Sequence, residues 1–277
     1  MSKITATQVN ELRKKTGAGM MDCKKALVEA AGDFEKATDI LRKKGQKLAS
    51  SRAGRAANEG VVLGTTNATK NKAFAVMLNC ETDFVAQNQD VIDFAGDILQ
   101  LAVDKEPATL EELKAADLNG RTVEENITDM IGKTGEKMEL GSYEMVTGEK
   151  AFAYTHPGNK IAAIAALNKS DLSDIDTIGK DVVMQIAAMA PVAIDKDDVD
   201  PVIVEKEIEI GKDQARQEGK PEELLEKIAM GKLNKFFKES TLINQQFIKD
   251  SKKTVGQMLQ AGDKGLMVVD FKRLSLT

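Results

Sequence analysis

The sequence predicts an α+β chain, in which helical units are attached to small antiparallel sheets with helices on one face. Three observations predict it. Residues 1–48 carry apolar stripes at helical spacing, separated by glycine turns. Two later stretches echo one another, each with strand-like runs followed by an apolar helix. A strongly charged stretch, 191–239, reads as two helices joined by a short turn.

In the first unit, Thr5-Ala6-Thr7-Gln8 has the capping-box pattern, and Val9 and Leu12 share a face. Thr16-Gly17-Ala18-Gly19 ends that helix, because glycine reaches φ > 0 without strain. A second helix is expected from Met20 or Met21 to Ala31, with Leu27 inward. Gly32 suits the position after a helix and Asp33 the N-cap of the next. Phe34, Ala37 and Leu41 form the third stripe. Adjacent Met20 and Met21 cannot both face one core. One is expected at the surface, where methionine suits an adaptable contact.

Arg42, Lys43, Lys44, Lys47, Arg52 and Arg55 follow without an acid among them. The first reading is a solvated linker over 49–58, flexible or helical. A nucleic-acid or ribosome contact is the rival.

The core is expected as one subdomain over 59–140 and a second over 141–190 and 240–277. In the first, Gly60–Gly64 and Ala73–Leu78 read as strands, and Asp97–Ala102 as helix. Ser142–Val146, Ala163–Leu167 and Asp181–Ala187 are their expected counterparts, and 265–273 reads as a closing strand. Nineteen positions separate Leu78 from Asp97, against fourteen from Leu167 to Asp181. That predicts about five extra residues near Glu81–Asp90. The second copy offers Lys169-Ser170-Asp171-Leu172 there, with no aromatic. Phe84, in Cys80-Glu81-Thr82-Asp83-Phe84, is therefore expected to project instead of joining the core. In the inserted hairpin, Val204, Ile208 and Ala215 fall at helical spacing, Gly219-Lys220-Pro221-Glu222 makes a turn, and Leu224, Leu225, Ile228, Leu233, Phe236 and Phe237 continue on a second helix. Twenty helical residues reach about 30 Å, enough to protrude.

Composition narrows function. The 277 residues are 42% hydrophobic and 30% charged, with net charge −5, which argues against nucleic acid as main partner. Two cysteines and one histidine leave too few ligands for zinc. No phosphate-loop or dinucleotide fingerprint occurs, so no cofactor is expected. Cys80, His156 and Asp83 supply the letters of a cysteine hydrolase, but no nucleophile turn surrounds the thiol. There is no disulfide framework, no apolar leader after Met1 and no bilayer-spanning run. Those features predict a cytoplasmic chain. His156 lies in a turn-like run, Tyr154-Thr155-His156-Pro157-Gly158-Asn159. A structural or simply exposed histidine is the first reading there, and a partner contact the second.

Several stretches carry a family resemblance. Glu11-Leu12-Arg13-Lys14-Lys15-Thr16-Gly17-Ala18-Gly19-Met20-Met21-Asp22-Cys23 resembles the opening of the bacterial elongation factor Ts family. Asn79-Cys80-Glu81-Thr82-Asp83-Phe84-Val85-Ala86 resembles its second signature, and Gly219-Lys220-Pro221-Glu222, Gln246–Asp250 and Thr254–Gln257 resemble later segments. The resemblance implies a non-enzymatic guanine-nucleotide exchange factor for the GTPase elongation factor Tu. It implies a ubiquitin-associated-like three-helix domain, a two-subdomain core and a coiled-coil hairpin, through which a homodimer could form. Thr82, Asp83, Phe84 and Val85 would disturb the Mg²⁺ bound to the partner. Arg13, Met20 and Met21 would contact it from the N-terminal unit, as would Ile131, Gly132 and His156 from the core. Pro157 departs from the glycine-rich family turn. The familiar ending continues into a further module that is expected to be absent here, since the chain stops at Thr277. The rival readings are a ubiquitin-associated interaction module and a ribosome-associated binder.

Overall fold

The computed structural model describes residues 4–276. The parts of the expected units on 1–3 and 277 lie outside the described residues. Three helices come first: α1 (Ala6–Thr16), α2 (Met20–Glu29) and α3 (Phe34–Arg52). Thr5 and Gln8 form the expected capping box. Gly17 ends α1 at φ 67°, and Gly32, at φ 90°, donates to the Leu27 carbonyl at 2.8 Å. Asp33 caps α3. Leu12, Cys23, Leu27 and Ala37 close a small core between the three. Helix α3 runs on into the basic stretch, so the linker expected to begin at residue 49 is helical as far as Arg52.

The chain then forms β1 (Glu59–Thr66), β2 (Lys72–Cys80), a single turn α4 (Asp83–Ala86), α5 (Gln89–Lys105), α6 (Leu110–Ala115), α7 (Val123–Thr134) and β3 (Met138–Thr147). After it come β4 (Lys150–Thr155), β5 (Ile161–Leu167), α8 (Ile175–Met189), α9 (Pro201–Gln217), α10 (Glu222–Ser240), the short β6 (Gln246–Phe247) and β7 (Asp250–Thr254), α11 (Val255–Gly262) and β8 (Val268–Ser275). The two main sheets are antiparallel, ordered β1-β2-β3 and β4-β5-β8. The α+β expectation therefore holds at the level of mixed helix and small antiparallel sheets.

Side-chain alternation shows why these strands bury both faces. Phe74, Val76 and Leu78 of β2 point to Val91, Ala95 and Ile98 of α5, while Ala73 and Ala75 point the other way. On β5, Ala163, Ala165 and Leu167 meet Val182 and Ile186 of α8. Ala162, Ile164 and Ala166 join Val62, Ala73, Ala75 and Val146 in a core between the sheets. The order of layers is helix, sheet, sheet, helix. Small alanines on the facing strands let the two sheets approach.

Two sequence expectations change. Ser142–Val146 belong to the first sheet, not the second: Tyr143 pairs with Val76 and Val146 with Ala73. Strand β3 completes the first sheet, and β4 belongs to the second. The five-residue insertion is also absent. The connection from β2 to α5 spans eight residues (81–88), and that from β5 to α8 spans seven (168–174). The apparent offset has three sources: β2 runs two residues past Leu78 whereas β5 ends at Leu167, the first connection is one residue longer, and Asp97 lies two residues deeper in its helix than Asp181. What distinguishes the first connection is the helical turn α4.

Helices α9 and α10 run antiparallel. Gly211 abuts Ala229, where an added Cβ would lie 3.1 Å from the Ala229 Cα. Lys212 bridges Glu209 and Glu226 at 3.2 and 2.9 Å. Gly219, at φ 72°, makes the turn. At the base, buried Gln185 accepts from the Ile248 N–H at 2.9 Å and donates to Gln245 at 3.1 Å. Such a satisfied network fixes where the hairpin leaves and returns.

The N-terminal unit meets the core where Gly45 of α3 crosses Gly132 of α7. A Cβ on Gly132 would sit 3.3 Å from the Gly45 Cα. Gly45→Leu should push the helices apart and weaken this docking by about 1–3 kcal/mol. Faster amide hydrogen exchange in α3, with the sheets unchanged, is the expected readout.

Candidate functional site

The segment after β2 builds an exposed corner. Thr82 caps α4, its Oγ1 accepting from the Val85 N–H at 3.4 Å. Glu136 holds the same residue from the other side. Its Oε1 accepts from the Thr82 hydroxyl at 2.7 Å and its Oε2 from the Thr82 N–H at 3.1 Å. Val85 and Ala86 turn into the core. Phe84 points out and is 84% exposed, the most exposed large apolar side chain among the described residues. A free phenyl ring on a held backbone gains nothing for folding. It is available to bury in something else.

Glu81 anchors the start of the corner. One oxygen accepts from the Lys137 N–H at 2.6 Å and from Arg52 at 2.8 Å, and the other from Arg55 at 3.0 Å. The Lys137 N–H and then the two guanidinium groups push the Glu81 carboxyl down to about 2 from its ordinary 4.5. A depressed carboxylate contributes its stability in full above the ordinary value, and loses it as pH falls through the folded one. Glu81→Gln should therefore unfold at lower denaturant than the parent at pH 7, and the difference should vanish as pH approaches 2. Urea titrations at the two ends of that window are the check.

Facing the corner is the His156 turn. Asn159 N–H donates to the His156 carbonyl at 3.0 Å, with Pro157 second and Gly158 third at φ 90°, as a type II turn demands. Pro157 thus fits the turn. Tyr154 and His156 share a hydrogen bond between Oη and Nδ1 at 2.9 Å. Val62 of β1 donates to the Asn159 carbonyl at 2.7 Å, tying this turn to the other sheet. Between corner and turn lies an open cleft of about 380 Å³, lined by Gly60, Asp83, Ala86, His156, Lys160 and Ile161 among others. Glu59, through a hydrogen bond at 2.9 Å and its charge, and then Asp83, raise Lys160 above the ordinary lysine range.

Covalent chemistry finds little footing here. Cys80 is buried, and burial and the Glu136 charge push its thiol up to about 11, so the thiolate is scarce at neutral pH. Among the described residues, no three His, Cys, Asp or Glu side chains are grouped to hold a metal ion. No described helix is long and apolar enough to cross a membrane.

The family model described as Elongation factor TS matches residues 81–277, beginning at the anchor of this corner. Over the whole of both chains, the sequence is 54% identical to the elongation factor Ts of Cytophaga hutchinsonii. It is 51% identical to that of Amoebophilus asiaticus over 98% of each chain. It is 50% identical to that of Porphyromonas gingivalis over 99% of this chain and 98% of the relative. The chain belongs to the elongation factor Ts family.

The other positions implied by resemblance to elongation factor Ts divide in two. Arg13, Met20 and Met21 are exposed, Met20 and Met21 by 53% and 63%. Both methionines are thus outward, where the spacing alone places at least one at the surface. The inward positions of α2 are filled by Cys23, Ala26 and Leu27. Ile131 and Gly132 are not open surface. Ile131 is buried in the first core, and Gly132 is packed against Gly45. Little of the Ile131 side chain is open to a partner. Sequence reasoning missed Glu81, Glu136, Arg52 and Arg55 as parts of the site. Only the resemblance touched Glu81, and nothing local marks the others.

Proposed function

We propose that this chain is a guanine-nucleotide exchange factor for elongation factor Tu that acts by binding, without covalent chemistry. The observation that carries the reading is Phe84, a phenyl ring 84% exposed on a corner anchored on both sides. A GTPase of this class holds GDP with backbone amides, a lysine and an Mg²⁺ ion. Mg²⁺ demands near-ideal octahedral geometry, so a small shift of its ligands is costly. A ring buried in a pocket that opens only when the metal site is distorted stabilises the distorted state. Asp83, beside it, redirects hydrogen bonds at the same place. His156 with its turn, and Arg13, Met20 and Met21 on the N-terminal unit, hold other parts of the partner. Thr82 and Val85 hold the corner, and Gly132, on which α3 is seated, contacts the partner beside Ile131.

In this reading α1–α3 are a ubiquitin-associated-like domain, and α9–α10 a coiled-coil hairpin available for pairing with a second copy. The core subdomains span 59–147, and 150–190 with 240–276. The protein works in the cytoplasm. The ribosome-binder reading loses ground because four of the six basic side chains pair within the chain: Arg42 with Asp39, Lys44 with Asp22, and Arg52 and Arg55 with Glu81. The test is stopped-flow release of fluorescent GDP from elongation factor Tu. Acceleration that saturates with this protein supports the reading. Release unchanged at any concentration sinks it.

A further inference from the structure

Three elements distant in sequence converge behind Phe84. The end of α3 brings Arg52, with Arg55 just beyond it, to Glu81. The segment joining α7 to β3 brings the Lys137 N–H to the same carboxylate and Glu136 to Thr82. Helix α7 is itself seated on α3 through Gly45 and Gly132. Glu81 is well shielded, its side chain only 13% exposed, and its partner Arg52 is 25% exposed. These are not two long side chains meeting in solvent, the kind of pair that contributes little. An unbroken set of contacts runs from the N-terminal helices to the backbone that carries the ring.

We propose that Glu81 is a positioning residue: it couples the seating of α3 to the placement of Phe84, so that the N-terminal unit sets how productively the ring engages the partner. This rests on the exchange reading above. Glu81 need not touch the partner. It removes the freedom of the backbone just before the N-cap, and Glu136 removes that of the N-cap itself. A ring free to sample other directions still allows docking through the remaining contacts, but it spends less time where the metal site is disturbed. The loss therefore falls on the maximal rate of GDP release more than on the concentration giving half of it.

The experiment uses the full chain with Glu81→Ala, the pair Arg52→Ala with Arg55→Ala, all three together, and Glu136→Ala beside Glu136→Gln. Maximal release rate and half-saturating concentration are measured for each, together with hydrogen exchange at Val85, Ala86 and Gln87. Glu81→Ala should lower the maximal rate roughly tenfold with a smaller change in half-saturation. The triple variant should be no worse than Glu81→Ala, since all act through one set of contacts. Glu136→Gln, which keeps an acceptor for Thr82, should recover much of what Glu136→Ala loses. Faster exchange at the corner should accompany each loss. A Glu81→Ala protein with parental maximal rate overturns the proposal, whether or not its corner exchanges faster. So does a loss confined to half-saturation. If the parent itself fails to accelerate release, the exchange reading falls. Unchanged hydrogen exchange at the corner in Glu81→Ala then overturns the positioning claim separately.

Discussion

Phe84→Ala should abolish most of the acceleration of GDP release while leaving the fold intact. The ring is 84% exposed and supports no core. Its removal should change stability by less than about 0.5 kcal/mol, the usual range for surface substitutions. Burying such a ring in a partner contributes about 1.5–3 kcal/mol, which corresponds to roughly 10- to 150-fold in rate if it is realised only in the distorted state. Stopped-flow release at saturating protein measures this directly, and urea unfolding of the same variant supplies the control. A large loss of stability would show that the corner is part of the core after all.

Ten positions earlier, the same residue type has the opposite role. Phe74 is fully buried on β2, among Val91, Ile98 and other members of the first core. Phe74→Ala should cost about 3–5 kcal/mol through lost burial and the cavity left behind. Below the unfolding temperature it should retain most of its exchange activity, because α4 is held by Glu81 and Glu136 and not by this ring. Thermal unfolding and GDP release measured on both variants should give crossed results: Phe74→Ala unstable but active, Phe84→Ala stable but inactive.

The contrast shows what was legible in the sequence. The continuous apolar run Ala73–Leu78 reads as a strand, and that reading holds. The projection of Phe84 was also read correctly, though on a faulty ground, since the supposed insertion does not exist. The N-terminal caps at Thr5, Gly17, Gly32 and Asp33 were legible because each is a local rule of backbone chemistry. Strand membership was not. Ser142–Val146 lie close to β4 in sequence but pair with β2, and pairing between distant segments leaves no local mark. Glu81 and Glu136 are two of 44 acidic residues, in stretches that read as ordinary polar surface. Their roles depend on Arg52, Arg55 and Thr82 arriving from elsewhere in the chain. The basic run read as a solvated linker for the same reason: its partners are Asp22, Asp39 and Glu81, none of them within it.

The central claim is that this protein discriminates between states of its partner, and linkage makes that measurable without any kinetics. If it weakens GDP binding by some factor, GDP and Mg²⁺ must weaken its own binding by the same factor. The most direct measurement is calorimetric titration of elongation factor Tu with this protein, once nucleotide-free and once saturated with GDP and Mg²⁺. Binding to the nucleotide-free form should be tighter by at least about a hundredfold, a difference of about 2.7 kcal/mol. Phe84→Ala should narrow the gap by weakening mainly the tighter complex. Equal affinity for the two forms would contradict the account, because a protein that binds both equally cannot drive nucleotide from either.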